Sequence, residues 1–292
     1  MAHSPRKFFL CCVAAIVPAA GILAATAVTA SAQPTTAVTA RPSASAQAQA
    51  VAKAAIEKLT VGQQPLDHRV GVVNPAAKFR GLSKVSSTNW SGYADTGSSF
   101  SKVSASWTEP SASCGFTTQL AAFWVGIDGY SSDSVEQDGT LIECYLGTAY
   151  QYTWWEMYPT NDIQVVGETL AAGDAITSTV TRSGTNYTLT VTDSTHSANS
   201  FTETESCSSC ANSSAEWIAE APSGSTGVYP LADFKSWTAS NASVTEGSTS
   251  GVISSFTDDE ITMIDSAGRT KALPGSLNSS GNSFSVAWER AS

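Results

Sequence analysis

The chain has 292 residues, with 15 Lys and Arg residues against 25 Asp and Glu residues, and a formal net charge of -10 at pH 7. An acidic protein without a basic patch has nothing to hold phosphates, which argues against nucleic acid as a partner. His196 is the only histidine after Gly81 and lies in a polar run, where we expect a solvated loop, so Ser-His-Asp and histidine-zinc chemistry are disfavoured.

The N-terminus has the pattern of a secretory signal peptide. Arg6 and Lys7 precede an apolar run (residues 8–28), and a small-residue cleavage site, Ala-Ser-Ala, ends at Ala32. A membrane anchor is the alternative, because the run is nearly long enough to span a bilayer. We predict a signal peptide over residues 1–32 and a secreted, extracellular protein without membrane contact once the signal is removed.

Residues 33–85 form a basic leader of different composition. They carry seven Lys or Arg residues against two acidic ones, whereas the chain from Gly81 onward has seven basic and 23 acidic residues. Opposite charge gives the two parts a reason to associate near neutral pH. We predict an inhibitory pro-region, released as acid protonates the carboxylates, with a helix over residues 46–59. A disordered spacer or cell-wall linker is the alternative.

The remainder, residues 86–292, is predicted to be one all-β domain. Alternating apolar and polar residues indicate strands at 103–107, 175–182, 187–193, 261–264 and 284–288, with a hairpin loop over 183–186. No long helical periodicity follows Gly81. Many short strands without helices are typical of a sandwich or a barrel.

Four cysteines remain after signal removal, an even number in an oxidising compartment. Of the three possible pairings, we prefer Cys114 with Cys144 and Cys207 with Cys210. A redox or zinc motif is the alternative for Cys207-Ser-Ser-Cys210. Zinc needs more ligands than the sequence offers, and no βαβ pattern surrounds the motif, so we predict neither a metal nor a cofactor.

An aspartic-protease reading of Asp95-Thr96-Gly97 fails, because that chemistry needs two such aspartates and the chain has one. We expect a β-turn there, and carboxylates and amides remain as the reactive groups. Glu216 and Glu220 share one face of a predicted strand with Ile218, so spacing cannot choose between them.

A glutamate among Trp and Ile is expected to be desolvated, which would make it a usable acid or base. Surface charges on a half-exposed strand are the alternative. Gln137 could donate an amide hydrogen bond to an oxyanion, although an isolated glutamine is ordinarily polar surface. Two aromatic and acidic clusters either line a cleft or pack in the core. They contain Trp124 and Asp128, and Trp154, Trp155, Glu156 and Tyr158.

Five motifs occur in the order found in a known family. They are Asn89-Trp-Ser-Gly92, Phe123-Trp-Val-Gly-Ile-Asp-Gly129, Glu136-Gln-Asp-Gly139, Trp154-Trp-Glu-Met-Tyr-Pro159 and Ala215-Glu-Trp-Ile-Ala-Glu220. Together with the signal and leader they resemble the glutamic peptidases, or eqolisins, in a secreted bacterial-type form. The resemblance covers residues 88 to about 290.

The resemblance implies a concanavalin-like β-sandwich of two large antiparallel sheets and an acid endopeptidase. It assigns catalysis to Gln137 and to Glu220 rather than Glu216. The supporting positions around the substrate would be Trp124, Asp128, Trp154, Glu156 and Tyr158. The resemblance also implies protein or peptide substrates and no cofactor. It implies a monomeric chain that is inhibited by its own pro-region.

Two departures from the family pattern concern positions beside these residues. Asp138 stands where the family often has Thr and would add a charge beside the site, and Trp155 stands at a Tyr position. Two other functions stay open from the residues alone. A glycosidase would pair Glu156 with Glu220, and a carbohydrate- or wall-binding module would use an exposed Trp155.

Overall fold

The computed structural model describes residues 50, 51, 53, 54, 72–79, 82–167, 169–224 and 227–292. Residues 50, 51, 53 and 54 are helical, within the segment predicted as a helix. The predicted signal peptide and most of the pro-region lie outside the described residues. Among the described residues, no helix combines the length and the apolar character needed to cross a bilayer.

Strands make up most of the described chain. They are β1 (Val72–Phe79), β2 (Leu82–Ser87), β3 (Trp90–Thr96), β4 (Phe100–Thr108), β5 (Gln119–Ile127), β6 (Val135–Tyr145), β7 (Thr148–Tyr158), β8 (Asn161–Gly167), β9 (Ala175–Ser183), β10 (Asn186–Asp193), β11 (Phe201–Ser206), β12 (Ser214–Glu220), β13 (Ser223–Gly224), β14 (Gly227–Val228), β15 (Ser236–Glu246), β16 (Thr249–Gly251), β17 (Asp258–Ile264), β18 (Thr270–Pro274) and β19 (Phe284–Trp288). Short 3₁₀ helices span Ser197–Asn199 and Ile253–Ser255.

The strands form two large sheets that share β15. The first sheet runs β1-β2-β17-β3-β12-β5-β6-β7-β8, and β18, β19 and the start of β15 extend it from the end of β17. The second runs β11-β10-β9-β4-β15-β16. Pairing is antiparallel except between β2 and β17. The predicted all-β sandwich is confirmed.

The main core lies between the two sheets. Along β5, Phe123 and Val125 join a cluster that also contains residues of the second sheet, such as Val180 and Leu189. The intervening Trp124 joins a second cluster, whose buried members all come from the first sheet. Alternate residues of β5 therefore face opposite ways, as in any strand, and the first sheet carries a separate apolar layer on its far face.

The hairpin predicted near residue 185 is present, with a shorter loop than expected. Ser183 pairs with Asn186, so only Gly184 and Thr185 connect β9 to β10. Gly184 has a φ of 65°, the left-handed conformation that such tight turns require. The predicted strands at 103–107, 261–264 and 284–288 all lie within observed strands.

Strand β2 crosses the predicted end of the pro-region at residue 85. It pairs in parallel with β17, where Val85 lies opposite Ile261, and Val85 is buried in the far-face layer. Lys84 adds an ion pair, with its Nζ 2.7 Å from Oε1 of Glu260. The last residues of the predicted leader are thus built into the first sheet.

Both preferred disulfides are confirmed. Cys114 is bonded to Cys144, 30 positions apart in the sequence, and Cys207 is bonded to Cys210, three positions apart. The first bond ties the segment before β5 to the end of β6. The second closes the short loop between β11 and β12.

Carboxyl groups are unusually frequent inside the fold. Burial raises the pKa of Asp95 to about 9, helped by the charge of Asp258, and burial raises the pKa of Glu109 to about 8. Glu109 accepts hydrogen bonds from Trp107 Nε1 at 3.3 Å and from Gln151 Nε2 at 3.1 Å. Burial likewise raises the pKa of Glu143 to about 7. These groups are neutral in the folded protein at acid pH.

The fold is therefore expected to lose stability as the pH rises. A carboxyl whose pKa is higher in the folded state stabilises the fold fully below its unfolded pKa, near 4, and that contribution disappears as the pH approaches the folded pKa. Each pKa unit corresponds to about 1.4 kcal/mol. Urea unfolding should give a lower free energy of unfolding at about pH 8 than at about pH 4, and Glu109→Gln should shrink that difference. A free energy that rises with pH would contradict the expectation.

Candidate active site

The residues predicted to carry chemistry converge on the far face of the first sheet. Cross-strand register places Gln137 of β6 between Gly126 of β5 and Glu156 of β7. On the other side of β5, Glu220 of β12 lies opposite Ala122. Because alternate residues of a strand share a face, these side chains emerge on the same side as Trp124, within the second apolar layer.

Glu220 is held by two side-chain donors. The indole Nε1 of Trp124 donates to Oε2 at 2.8 Å, and Nδ2 of Asn89 lies 3.4 Å from Oε1. Asn89 is fixed in turn by the Ser87 hydroxyl, which donates to its Oδ1 at 3.0 Å. The ring of Trp90 meets the edge of Trp124, with centroids 4.8 Å apart. The Glu220 carboxylate therefore has a fixed orientation.

Gln137 is oriented by Glu156. Its amide nitrogen donates to Oε2 of Glu156 at 2.7 Å. The amide oxygen of Gln137 is buried and accepts no hydrogen bond from the described residues. A primary amide has two N–H donors and a carbonyl acceptor, so one N–H and the carbonyl of Gln137 remain available to a water or a substrate.

Gly126 and Gly139 leave room for the Trp124 indole, which lies between Gln137 and Glu220. A Cβ at position 126 would lie 2.9 Å from Cζ3 of Trp124 and 3.1 Å from Cβ of Gln137. A Cβ at position 139 would lie 2.8 Å from Cβ of Trp124 and 2.0 Å from the Phe123 carbonyl oxygen. The indole therefore runs from beside Gln137 to Glu220, across a strip of sheet that lacks side chains.

Glu216 occupies the same face as Glu220 without sharing its contacts. It lies opposite Gly126, in the row of Gln137, and is completely buried. Burial raises its pKa well above the usual range, and the nearby charges of Asp128 and Glu136 add to this effect. The surroundings of Glu216 therefore favour its neutral, protonated form.

Asp128 acts as a structural anchor at the end of β5. Its carboxylate accepts hydrogen bonds from the backbone N–H groups of Asn212, at 2.6 Å, and Ser213, at 2.8 Å. Asp128 has a φ of 70°, a conformation that costs a non-glycine residue free energy unless its contacts hold it. The anchor secures the loop that leads into β12 and hence the start of the strand that carries Glu220.

Trp154 and Tyr158 extend the same face along β7. Trp154 lies opposite Gly139 and is completely buried in the far-face layer, while Tyr158 lies opposite Val135 and is partly exposed. Both therefore line the surroundings of Gln137, on the side away from Glu220.

Three sequence-based expectations are wrong in ways that the strand faces explain. Asp138 does not lie beside the site: it points into the main core, where the hydroxyl of Ser178 on the second sheet donates to it. Trp155 is also buried in that core, so it is no exposed platform for carbohydrate. Asp95 is a buried residue within β3 rather than part of a surface turn.

Two clusters among the described residues have metal-ligand spacing, but neither is free to bind. One consists of Asp174, Asp193 and His196, the other of Glu136, Cys207 and Cys210. In the first, Asp193 already accepts N–H bonds from the loop that carries His196, and His196 pairs with Asp174 at 2.8 Å. In the second, both sulfurs are in a disulfide.

The centre of the candidate site is closed in this chain. Trp124, Gln137, Glu156 and Glu220 each have an exposed fraction of 0%. Sequence reasoning did not single out Asn89 or the glycines at 126 and 139, although all three lie inside the quoted motifs. The roles of these three residues depend on which strands lie next to each other in the sheet. The spacing of residues within one strand does not show which strands are neighbours.

The family model described as the Peptidase A4 family matches residues 88–288. Aspergillopepsin-2 of Aspergillus niger is 29% identical over 188 residues, covering 55% of this chain and 65% of that protein. Scytalidopepsin B of Scytalidium lignicola is 36% identical over 110 residues, covering 36% of this chain and 41% of that protein. Both matches span less than two thirds of these relatives' lengths.

Solved structures share the fold over nearly their whole length. The crystal structure of scytalido-glutamic peptidase with a peptide based transition state analog aligns with a TM-score of 0.59 and 25% sequence identity. The alignment covers 69% of this chain and 98% of that one.

Because the Trp124 indole packs against position 126, we predict that Gly126 tolerates no side chain. Gly126→Ala should push the Trp124 indole against its neighbours and lower the free energy of unfolding by about 1–3 kcal/mol, as overpacking does. Gly115→Ala is the matched control, because the nearest atom to a Cβ there is 3.8 Å away. Urea unfolding of both variants measures the effect, and equal stabilities would refute the close packing.

Proposed function

The chain belongs to the peptidase A4 family of glutamic peptidases, and from this premise we propose that it is an endopeptidase whose catalytic residues are Glu220 and Gln137. The observation that supports this most is that both residues lie beside one indole on the same face of the sheet. Trp124 donates to Glu220, and a Cβ at position 126 would meet both the Trp124 ring and Cβ of Gln137, so an acid-base group and an amide lie at the two ends of one indole.

In the proposed reaction, the Glu220 carboxylate binds a water molecule over the Trp124 indole, whose other end lies beside Gln137. Glu220 takes a proton from the water as it attacks the peptide carbonyl carbon, and later gives that proton to the leaving nitrogen. The free N–H of Gln137 donates to the oxyanion of the tetrahedral intermediate. Glu156 fixes the amide orientation through its 2.7 Å hydrogen bond.

The opposite order of proton transfers uses the same atoms. In that version Glu220 starts protonated and first donates to the substrate carbonyl, while water attacks. Both orders require Glu220 and Gln137 to act as one unit, and both fit acid conditions in which the leaving nitrogen is readily protonated.

We further propose that the protein is made as a secreted proenzyme. Residues 1–32 would be the signal peptide. The boundary predicted at residue 85 moves ahead of β2, so that residues 33 to about 81 would be the pro-region and residues 82–292 the catalytic domain. The complete burial of Trp124, Gln137 and Glu220 supports a latent full-length chain, because a polypeptide substrate must reach these groups. The basic leader matches the acidic domain in charge, and acid would weaken that attraction by neutralising carboxylates.

Peptides are the proposed substrates and the mature protein is the proposed acting form. The related scytalido-glutamic peptidase has been crystallised with a peptide based transition state analog, which supports a site that accepts peptides. A glycosidase using Glu156 and Glu220 is less favoured, because Glu156 is bonded to Gln137 and not held as a free acid. The wall-binding alternative loses its platform with the burial of Trp155.

Substitution of the two proposed catalytic residues should abolish activity and leave the fold intact. Glu220→Gln should lower kcat/KM for casein by about 10³-fold or more, and Gln137→Ala by about 10²–10³-fold, from loss of the base and of the oxyanion donor. Activity is measured at about pH 4, where an ordinary carboxyl is half ionised.

Glu216→Gln is the matched control for this experiment. It changes the same residue type on the same strand and face, with the same burial, so its activity should stay within a few-fold of the unchanged protein. Activity that survives Glu220→Gln but not Glu216→Gln would show that Glu216 is the catalytic glutamate and would contradict the proposal.

Maturation at acid pH should leave β2 with the catalytic domain. Because Val85 is buried and paired with β17, a cut before Leu82 preserves the sheet and a cut after Ser87 removes a strand. N-terminal sequencing after incubation at about pH 4 locates the cut, and casein hydrolysis should rise in parallel.

The Glu220→Gln chain separates self-cleavage from other causes. Alone it should stay full-length, and with a trace of mature unchanged protein it should be cut at the same position. Full activity of an uncut chain would disprove the proenzyme proposal.

A further inference from the structure

A buried carboxyl group lies against the Cys207–Cys210 disulfide. A carboxyl oxygen of Glu136 and the two sulfur atoms all lie within 4.8 Å of one another. Glu136 is completely buried. Its polar neighbours are the Ser134 hydroxyl and the Asp128 carboxyl, each of which affects its pKa through a hydrogen bond. The proposed peptidase chemistry gives this buried acid no role.

The Cys207–Cys210 disulfide is expected to add little to the stability of the fold. It joins residues only three positions apart, whereas Cys114–Cys144 joins residues 30 positions apart. In the chain-entropy account, stabilisation grows with the length of the closed loop. The longer bond is therefore the structural one, and the shorter bond has the Cys-x-x-Cys spacing found at exchangeable disulfides.

The short disulfide is also within reach of solvent. Cys207 and Cys210 are half-buried, and the two serines between them are exposed. A surface cavity of about 330 Å³ lies beside the loop. Its lining consists of Ser132, Asp133, Ser134, Pro159, Ser209 and Ala211. A small thiol could approach the loop from this side. In the other disulfide Cys144 is completely buried and Cys114 is half-buried.

The surroundings of Glu136 favour the protonated form that an acid catalyst needs. Burial raises the pKa of Glu136 well above the usual range, and the charge of Asp128 raises it further. The Ser134 hydroxyl and the Arg182 guanidinium act in the opposite direction, by less. The charge of Glu136 in turn raises the pKa values of Tyr187 and Glu216. The net effect raises the pKa of Glu136 and so favours its protonated form.

We propose that Cys207–Cys210 is a thiol–disulfide exchange site at which Glu136 protonates the departing sulfur. An incoming thiolate attacks one sulfur, the S–S bond breaks, and its electron pair leaves on the other sulfur. That sulfur takes the proton of Glu136, giving a mixed disulfide, a thiol and a carboxylate. A second thiolate then attacks the mixed disulfide, which releases the oxidised reductant and leaves the second cysteine as a thiolate.

The test uses the folded full-length chain and dithiothreitol. Free thiols are alkylated at successive times, and peptide masses report each disulfide separately. Cys207–Cys210 should open at least about tenfold faster than Cys114–Cys144. Glu136→Gln, which keeps the shape and removes the proton, should slow the opening of Cys207–Cys210 by about tenfold or more, within the range of general-acid effects.

Glu109→Gln is the matched control, since it alters another completely buried carboxyl of raised pKa that contacts neither sulfur. It should leave the opening of Cys207–Cys210 unchanged. Both variants should reduce like the unchanged protein in strong denaturant. Equal rates for Glu136→Gln and the unchanged folded protein would overturn the proposal, and so would opening no faster than that of Cys114–Cys144.

The pH dependence gives a readout that does not depend on any variant folding. With rates divided by the thiolate concentration, the unchanged protein should open more slowly as the pH rises, because Glu136 loses its proton. In Glu136→Gln the same normalised rate should be flat. A flat profile in the unchanged protein would show that Glu136 takes no part.

Discussion

The central position of β12 is the constraint on which the candidate site depends. This strand lies between β3 and β5, and all seven of its residues are buried. Its alternation sends Trp217 and Ala219 into the main core and leaves the glutamates on the far face. A shift of one residue would exchange the two sets. Core packing therefore holds Glu220 beside the Trp124 indole.

The abundance of buried carboxyls links the fold to acid conditions. Asp95 and Glu109 lie inside the folded chain with raised pKa values, and Asp138 reaches across to Ser178 on the opposing sheet. Neutral carboxyls can be buried at modest cost, whereas ionised ones cannot. Glu136 and Glu216 belong to the same group. The proposed exchange site draws on this property, because it needs Glu136 in its protonated form.

Sequence reasoning predicted local features well and the facing of strands poorly. The β9–β10 hairpin and both disulfides follow from alternation, turn residues and cysteine spacing. Asp138 was misplaced because it follows Gln137 directly, and adjacent strand residues point to opposite faces. Asp95 was predicted to lie in a turn because its sequence is typical of a turn, and only pairing with β12 and β17 shows that it belongs to strand β3. Glu216 and Glu220 cannot be separated by spacing at all; only the family resemblance favours one, and the register then shows what each contacts.

The central claim is that Glu220 and Gln137 act as one unit across the Trp124 indole. The most direct test is kcat/KM for a peptide substrate in the double variant Glu220→Gln/Gln137→Ala, compared with each single variant. Residues that serve one step are strongly non-additive. The account predicts that the double variant is no less active than Glu220→Gln alone. A double variant whose loss equals the product of the two single losses would show independent roles and contradict the account.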